Sequence, residues 1–267
     1  MKTKIIINGA CGKMGKEIAN AVISDSDCIL FGCIEQPMHP AIGKDYGETV
    51  NLNIKNIKIS KSISELDYKD CVIIDFSWAK ATMSLLEKLD STKAFVVIGT
   101  TGFSDNEIKE ITSFSKKIPI LLSPNMSLGV NLLFVITELV AKKIYKEFDI
   151  EIIEAHHRYK KDSPSGTARM LGQIIASAMG TKYEDVVKNG RAGIVQERPS
   201  KEIGMHSVRA GDIIGDHTVL FAGIGERIEL RHVAHSRATF ARGAVLAAKW
   251  LFGKKAGLYS MKDVLDL

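Results

Sequence analysis

Short apolar runs alternate with amphipathic stretches through the first half of the chain. Residues 4–7 form a β-branched run. Met14, Ile18 and Val22 then recur four apart, the spacing of one helix face. Residues 28–34 and 72–76 read as further strands, and 79–89 as a helix. Residues 95–98 and 120–122 are strand-like too, separated by a helix that Ser104 and Glu107 open with a capping-box pattern. Strand and helix in regular alternation predict an α/β architecture, a doubly wound parallel sheet of the Rossmann type.

After a helical stretch that starts at Leu128, the period changes. Strand-like segments lie at 149–155, 207–210, 218–221 and 227–234, with a helix at 168–179. In 227–234, Ile228, Leu230, His232 and Ala234 fall on one face, and Arg227, Glu229, Arg231 and Val233 on the other. That alternation predicts an open sheet with one polar face rather than another βαβ series. Residues 188–203 carry Gly, Arg, Lys and Glu without periodicity and read as a mobile or ligand-covering loop. A helix over 239–251 precedes the glycine-punctuated 253–257.

Composition narrows the function classes. The 267 residues are 45% hydrophobic and 25% charged, with a formal net charge of +5. That is the profile of an ordinary soluble protein. The basic residues are scattered, so no nucleic-acid partner is expected, whereas an anionic small ligand suits the mild excess. The longest apolar stretch, 128–141, is broken by Asn131, Thr137 and Glu138, so no membrane span is expected. Lys2 and Lys4 run straight into a strand without a signal-peptide pattern, which makes the cytoplasm the expected location. Cys11, Cys28, Cys33 and Cys71 form no C-x-x-C pair and read as reduced thiols. His232 and His235 fall on opposite strand faces with no carboxylate to complete a ligand set, so no metal is expected.

Two stretches carry candidate chemistry. The first is Gly9-Ala10-Cys11-Gly12-Lys13-Met14-Gly15, set between strand and helix, with Glu35 ending the next strand. This is the context that a dinucleotide fingerprint requires, in its G-x-x-G-x-x-G form. Gly9 permits a tight turn, Gly12 lets a pyrophosphate approach, Gly15 lets helix and strand pack, and Glu35 falls where a ribose would be. The neighbouring Gln36 carries no charge to clamp the extra phosphate of NADP, although Lys13 could offer one. NADH is therefore expected to serve at least as well as NADPH. Gly99-Thr100-Thr101 and Ser123-Pro124-Asn125-Met126 follow two more strands; they read either as plain strand–helix turns or as contacts to the nicotinamide half.

The second stretch is Glu154-Ala155-His156-His157-Arg158-Tyr159-Lys160-Lys161-Asp162-Ser163-Pro164-Ser165-Gly166-Thr167. Two imidazoles, several cations and a small-residue turn lead into a helix N-terminus. Such a turn suits a carboxylate or phosphate, and histidine is the side chain that exchanges protons most readily near neutrality. A proton source beside an anion cradle fits an enzyme acting on a small carboxylic acid.

These two stretches, with Gly99-Thr100-Thr101-Gly102-Phe103, 124–131, 208–212 and 261–267, resemble the dihydrodipicolinate reductase family of lysine and diaminopimelate biosynthesis, and the resemblance runs from end to end. It implies a Rossmann domain over 1–127 completed by 237–267. It also implies a central α+β domain over 128–236, whose open mixed sheet builds a homotetramer. It implies NADH or NADPH held by Gly9, Ala10, Cys11, Gly12, Lys13, Met14, Glu35, Gly99, Thr100, Thr101, Ser123, Pro124, Asn125 and Met126. His156 becomes the proton donor or acceptor and Lys160 a proton donor. His157, Gly166 and Thr167 become contacts to a dicarboxylate substrate. Two positions depart from the family's better-studied pattern, which has Arg in place of Gln36 and of Trp78. Another two-domain dehydrogenase, or a dinucleotide-sensing regulator, would share the glycine turn but not the paired histidines.

Overall fold

The computed structural model describes residues 2–89 and 94–267. The chain divides into two compact units, Met1–Leu128 with Arg237–Leu267, and Gly129–Ser236.

The first unit begins with β1 (Thr3–Asn8), α1 (Lys13–Ser24) and β2 (Cys28–Ile34). It continues through α2 (Tyr46–Val50), β3 (Ile59–Ser60), β4 (Cys71–Asp75), α3 (Ala79–Lys88), β5 (Ala94–Ile98), α4 (Asp105–Ser115) and β6 (Pro119–Leu122). With β12 (Gly257–Tyr259) from the end of the chain, its strands form a seven-stranded sheet in the order β12-β6-β5-β4-β1-β2-β3, parallel throughout. Every residue of β4 and β5 is buried, as expected of strands covered on both faces. Ile5, Ile7, Val72 and Ile74 pack with α1 on one face. Ile6, Ile73, Val96 and Ile98 pack with α3 and α4 on the other. Ser104 and Glu107 form the expected capping box. The strand order reverses at β1 and β4, and ligands of such sheets bind beyond the carboxyl ends at that point.

The second unit holds α5 (Leu128–Ile144), β7 (Asp149–His156), α6 (Gly166–Ala178), α7 (Tyr183–Val186), β8 (Val187–Asn189), β9 (Ile203–Arg209), β10 (Gly215–Ala222) and β11 (Arg227–Ala234). The sheet order is β11-β10-β7-β9-β8, antiparallel around β10 and parallel from β7 to β8. Ile150, Ile152, Ile203, Met205, Val219 and Phe221 pack against α5 and α6. Leu230 joins them from the face of β11 that the alternation assigns to the core.

Three expectations needed correction. The strands expected at 207–210 and 218–221 begin earlier, at Ile203 and Gly215. The inward His217 masked the second start, and the first falls where the stretch read as a loop ends. Of the two readings of 188–203, mobile or ligand-covering, the first is corrected: the stretch is fastened to β7. Arg191 reaches Glu151 at 2.9 and 3.2 Å, and Arg198 reaches Glu151 at 2.9 Å and Asp149 at 2.5 Å. The glycine-punctuated end holds one more strand. After α8 (Ala238–Leu251), which returns to the first unit's core, β12 (Gly257–Tyr259) pairs with β6, and α9 (Met261–Val264) follows.

Candidate active site

In the first unit the glycine turn has separate physical reasons at each position. Gly9 has φ +80°, and a Cβ there would lie 2.6 Å from the Phe76 carbonyl oxygen. A Cβ at Gly15 would lie 2.3 Å from the carbonyl oxygen of Gly9, so helix and turn touch there. A Cβ at Gly12 would meet only Gly9 O, at 3.2 Å, which leaves its other side open. No side chain caps α1, and no acidic residue occupies its first turn. Backbone N–H groups and the positive helix end are thus available to an anion. The Glu35 carboxylate accepts from Cys11 N at 3.0 Å and from Gln36 N at 2.9 Å. Each of its oxygens keeps a lone pair for a hydroxyl. A cavity of about 830 Å³ opens beside these residues, lined by Cys11, Gly12, Glu35 and Gln36 and by the exposed Met38 and Trp78. This donor and acceptor set fits a dinucleotide.

The remaining residues expected to touch the cofactor are placed differently. Ala10 is buried and gives its N–H to Ile34 O. Lys13 is exposed on α1, and Met14 packs against the core. A Cβ at Gly99 would strike the Phe76 ring at 2.2 Å, so this glycine serves packing. Thr100 is buried; its hydroxyl accepts from Ser77 N at 2.9 Å and donates to Asp75 at 3.0 Å. Thr101 is exposed. Ser123 donates to Asn125 O at 2.8 Å, Asn125 Oδ1 accepts from Ser127 N at 2.9 Å, and Met126 is buried while Pro124 is exposed. Sequence reasoning missed Asp75. This fully buried carboxylate binds Asn8, Ser77, Thr82 and Thr100, which ties the ends of three strands together. Burial outweighs those bonds and pushes its pKa up.

In the second unit the inward face of the sheet changes from apolar to polar at the carboxyl end of β7. Val219 pairs with Ile152 and Leu230, all inward. One step on, His217 stands opposite Glu154 on one side and His232 on the other, with Ser207 beside Glu154. One step further, Arg209 pairs with His156. Glu154 is 0% exposed and is the hub of this polar end. Arg209 grips it with two bonds of 2.8 Å, and Ser165 N donates at 3.1 Å. His156 Nδ1 lies 2.5 Å from its Oε2. Burial alone would raise the Glu154 carboxyl, but the bonds from His156, Arg209 and Ser207 hold it well below the usual range. An ionised carboxylate only accepts, so Nδ1 of His156 is the donor and Nε2 is the atom left for chemistry.

A Cβ at Gly215 would sit 3.1 Å from His156 Nε2, so this glycine leaves the nitrogen its room. His157 is half-buried, its ring 6.3 Å from that of Tyr159. Lys160 Nζ pairs with Asp162 at 3.0 Å. Ser165 caps α6 by accepting from Ala168 N at 3.2 Å, and Gly166 and Thr167 form the first turn. Nothing within 4 Å would meet a Cβ at Gly166, so the approach there is open. His156, Gly166 and Thr167 thus place a ring nitrogen free for proton exchange and an open helix start at one end of this unit. Arg209, His217 and the hub role of Glu154 were not assigned from the sequence. A polar residue on an inward strand position, in step with apolar ones, is the signal that would have found them.

Comparisons with known proteins identify the family. Residues 3–126 match the model for the N-terminus of dihydrodipicolinate reductase, and 129–265 that for its C-terminus. A 4-hydroxy-tetrahydrodipicolinate reductase of Trichlorobacter lovleyi is 46% identical over 99% of both chains, and one of Syntrophus aciditrophicus 44% identical over 98% of both. A solved dihydrodipicolinate reductase from Paenisporosarcina sp. TG-14, bound to dipicolinate, superposes with a TM-score of 0.73 at 26% identity, covering 97% of this chain and 98% of that one. With both halves matched and full-length relatives at this identity, the chain belongs to the dihydrodipicolinate reductase family.

Proposed function

We propose that the chain catalyses the reaction for which its relatives are named. It would reduce (2S,4S)-4-hydroxy-2,3,4,5-tetrahydrodipicolinate to tetrahydrodipicolinate with NADH or NADPH. One water leaves, one hydride and one proton are taken up, and the oxidised nucleotide is released. The observation that carries this reading is the Glu154–His156 pair beside the open start of α6.

Loss of the hydroxyl as water leaves a conjugated ring. A bound reduced nicotinamide supplies the hydride, to the ring carbon that bore the hydroxyl. The ring then holds excess electron density, and His156 Nε2 is the group proposed to give it a proton. A positioned acid of this kind contributes about 10²–10⁴-fold in rate. Lys160 offsets negative charge and serves as a second proton donor once it leaves Asp162. The N–H groups of Gly166 and Thr167, with the threonine hydroxyl, hold one carboxylate, and His157 contacts the substrate. Gly9, Gly12 and the start of α1 would hold the pyrophosphate, and Glu35 the ribose. Gln36 carries no charge, which favours NADH serving at least as well as NADPH. Gly99 to Thr101 and Ser123 to Met126 would act through their backbone where their side chains are buried.

Free thiols at Cys11, Cys28, Cys33 and Cys71 suit the cytoplasm. The outward face of the second sheet bears exposed Ile153 and Val208, which supports assembly into a homotetramer. The direct test mixes the chain with freshly made dihydrodipicolinate synthase product and each nucleotide in turn. Oxidation of NADH at a rate at least equal to that of NADPH is expected. Absence of oxidation with both would refute the activity, and a strong NADPH preference would refute the cofactor reading.

A further inference from the structure

His217 has no part in the chemistry above, yet it is only 4% exposed and stands opposite Glu154 in the strand register. Its ring meets that of His156 edge-on, with centroids 5.2 Å apart and planes at 74°. Nε2 lies 3.1 Å from Ser165 Oγ, while Nδ1 has no hydrogen-bond partner among the described residues. An orphaned buried N–H is rarer and costlier than an unused acceptor. The bonding therefore selects the Nε2–H tautomer, with Nε2 donating to Ser165. Burial, with His156 close by, pushes the His217 pKa down to about 3, which leaves the ring a single N–H to give.

The consequence falls on Ser165. Its oxygen already accepts from Ala168 N at 3.2 Å. A hydroxyl has two lone pairs and one proton. When His217 takes the second lone pair, the hydroxyl can only donate, and its proton turns away from both donors. We propose that His217 is a positioning residue that converts the Ser165 hydroxyl into an obligate donor to the substrate carboxylate held at the start of α6. This role rests on the reading of Gly166 and Thr167 as the carboxylate cradle. It adds a third donor to that cradle, and the edge contact helps to keep the His156 ring in its plane.

The test is calorimetric titration of the full-length chain with dipicolinate, a planar ring dicarboxylate, with NADH affinity measured separately. In His217→Gln the amide nitrogen reaches the place of Nε2; in His217→Asn it does not. His217→Leu and His217→Asn are expected to weaken dipicolinate binding by about ten- to a hundredfold, as loss of a hydrogen bond to a charged group does. The Gln variant should return to within about threefold of wild type, and NADH affinity should stay within about twofold in all three. Ser165→Ala should lose as much as His217→Leu, and the double variant no more than Ser165→Ala alone. Wild-type dipicolinate affinity in His217→Leu, equal rescue by Asn and Gln, or losses that multiply in the double variant would overturn the role of His217. A wild-type chain that binds NADH but not dipicolinate would overturn the carboxylate cradle itself, and the role of His217 with it.

Discussion

The Glu154 carboxylate meets Nδ1 of His156 at 2.5 Å, two residues apart on one strand face and both buried. Alternation along β7 makes this contact, because positions 154 and 156 point the same way. Glu154 also accepts from both terminal nitrogens of Arg209 and from the Ser165 amide. Removing its charge would strand a guanidinium and free the imidazole at once. Glu154→Gln is expected to lower unfolding stability by about 3–5 kcal/mol, read from urea denaturation, and to reduce turnover with NADH affinity intact. Unchanged stability would make the Arg209 clamp a spectator.

Gly215 tests the geometry without touching charge. Its absent Cβ leaves 3.1 Å to His156 Nε2, and the imidazole tip is held from behind by Glu154. Gly215→Ala must displace one or the other. Turnover is expected to fall by about ten- to a hundredfold, in line with small misplacements of a catalytic group. Steady-state kinetics beside a nucleotide titration would check it; wild-type turnover would mean that Nε2 needs no such room.

How much of this was legible without coordinates depends on what each residue answers to. The parallel sheet was readable because β4 and β5 are unbroken apolar runs, and the glycine turn because backbone geometry demands glycine at Gly9 and Gly15. His156, Gly166 and Thr167 could be proposed from the sequence because their neighbours form one specific run. Arg209 and His217 could not, because their partners Glu154 and Ser165 lie 55 and 52 residues away. The start of β10 was hidden for the same reason, since Gly215 and His217 break the apolar alternation that Val219 and Phe221 carry. Thr100, Ser123 and Met126 sit at strand ends as expected, but their burial follows from packing that spacing does not reveal.

A second prediction on stability concerns acid. Arg191, His206 and Arg198 overcome the effect of burial and draw the Glu151 pKa down to about 2. An unfolded glutamate titrates near ~4.3. Because the folded pKa is the lower one, Glu151 contributes its full stabilisation above the unfolded value and loses it as pH falls from about 4 towards 2. Glu151→Gln should flatten the fall of denaturation midpoint across that window. A wild-type slope in the variant would show that the arginines fasten the 188–203 stretch without energetic consequence.

Gln36 offers a test of the nucleotide reading. It carries no charge, and it lines the cavity next to Glu35. Gln36→Arg adds a planar cation suited to a ribose phosphate, and is expected to raise kcat/KM for NADPH by about tenfold while leaving NADH little changed. No gain would place the added phosphate elsewhere in the cavity.

His156 is the group proposed to supply the proton that completes reduction of the ring. Single-turnover oxidation of NADH by the synthase product, in wild type and in His156→Gln, tests it most directly. A rate lowered by about 10²–10⁴-fold with an unaltered NADH dissociation constant is the predicted result. A variant that turns over as fast as wild type would contradict it.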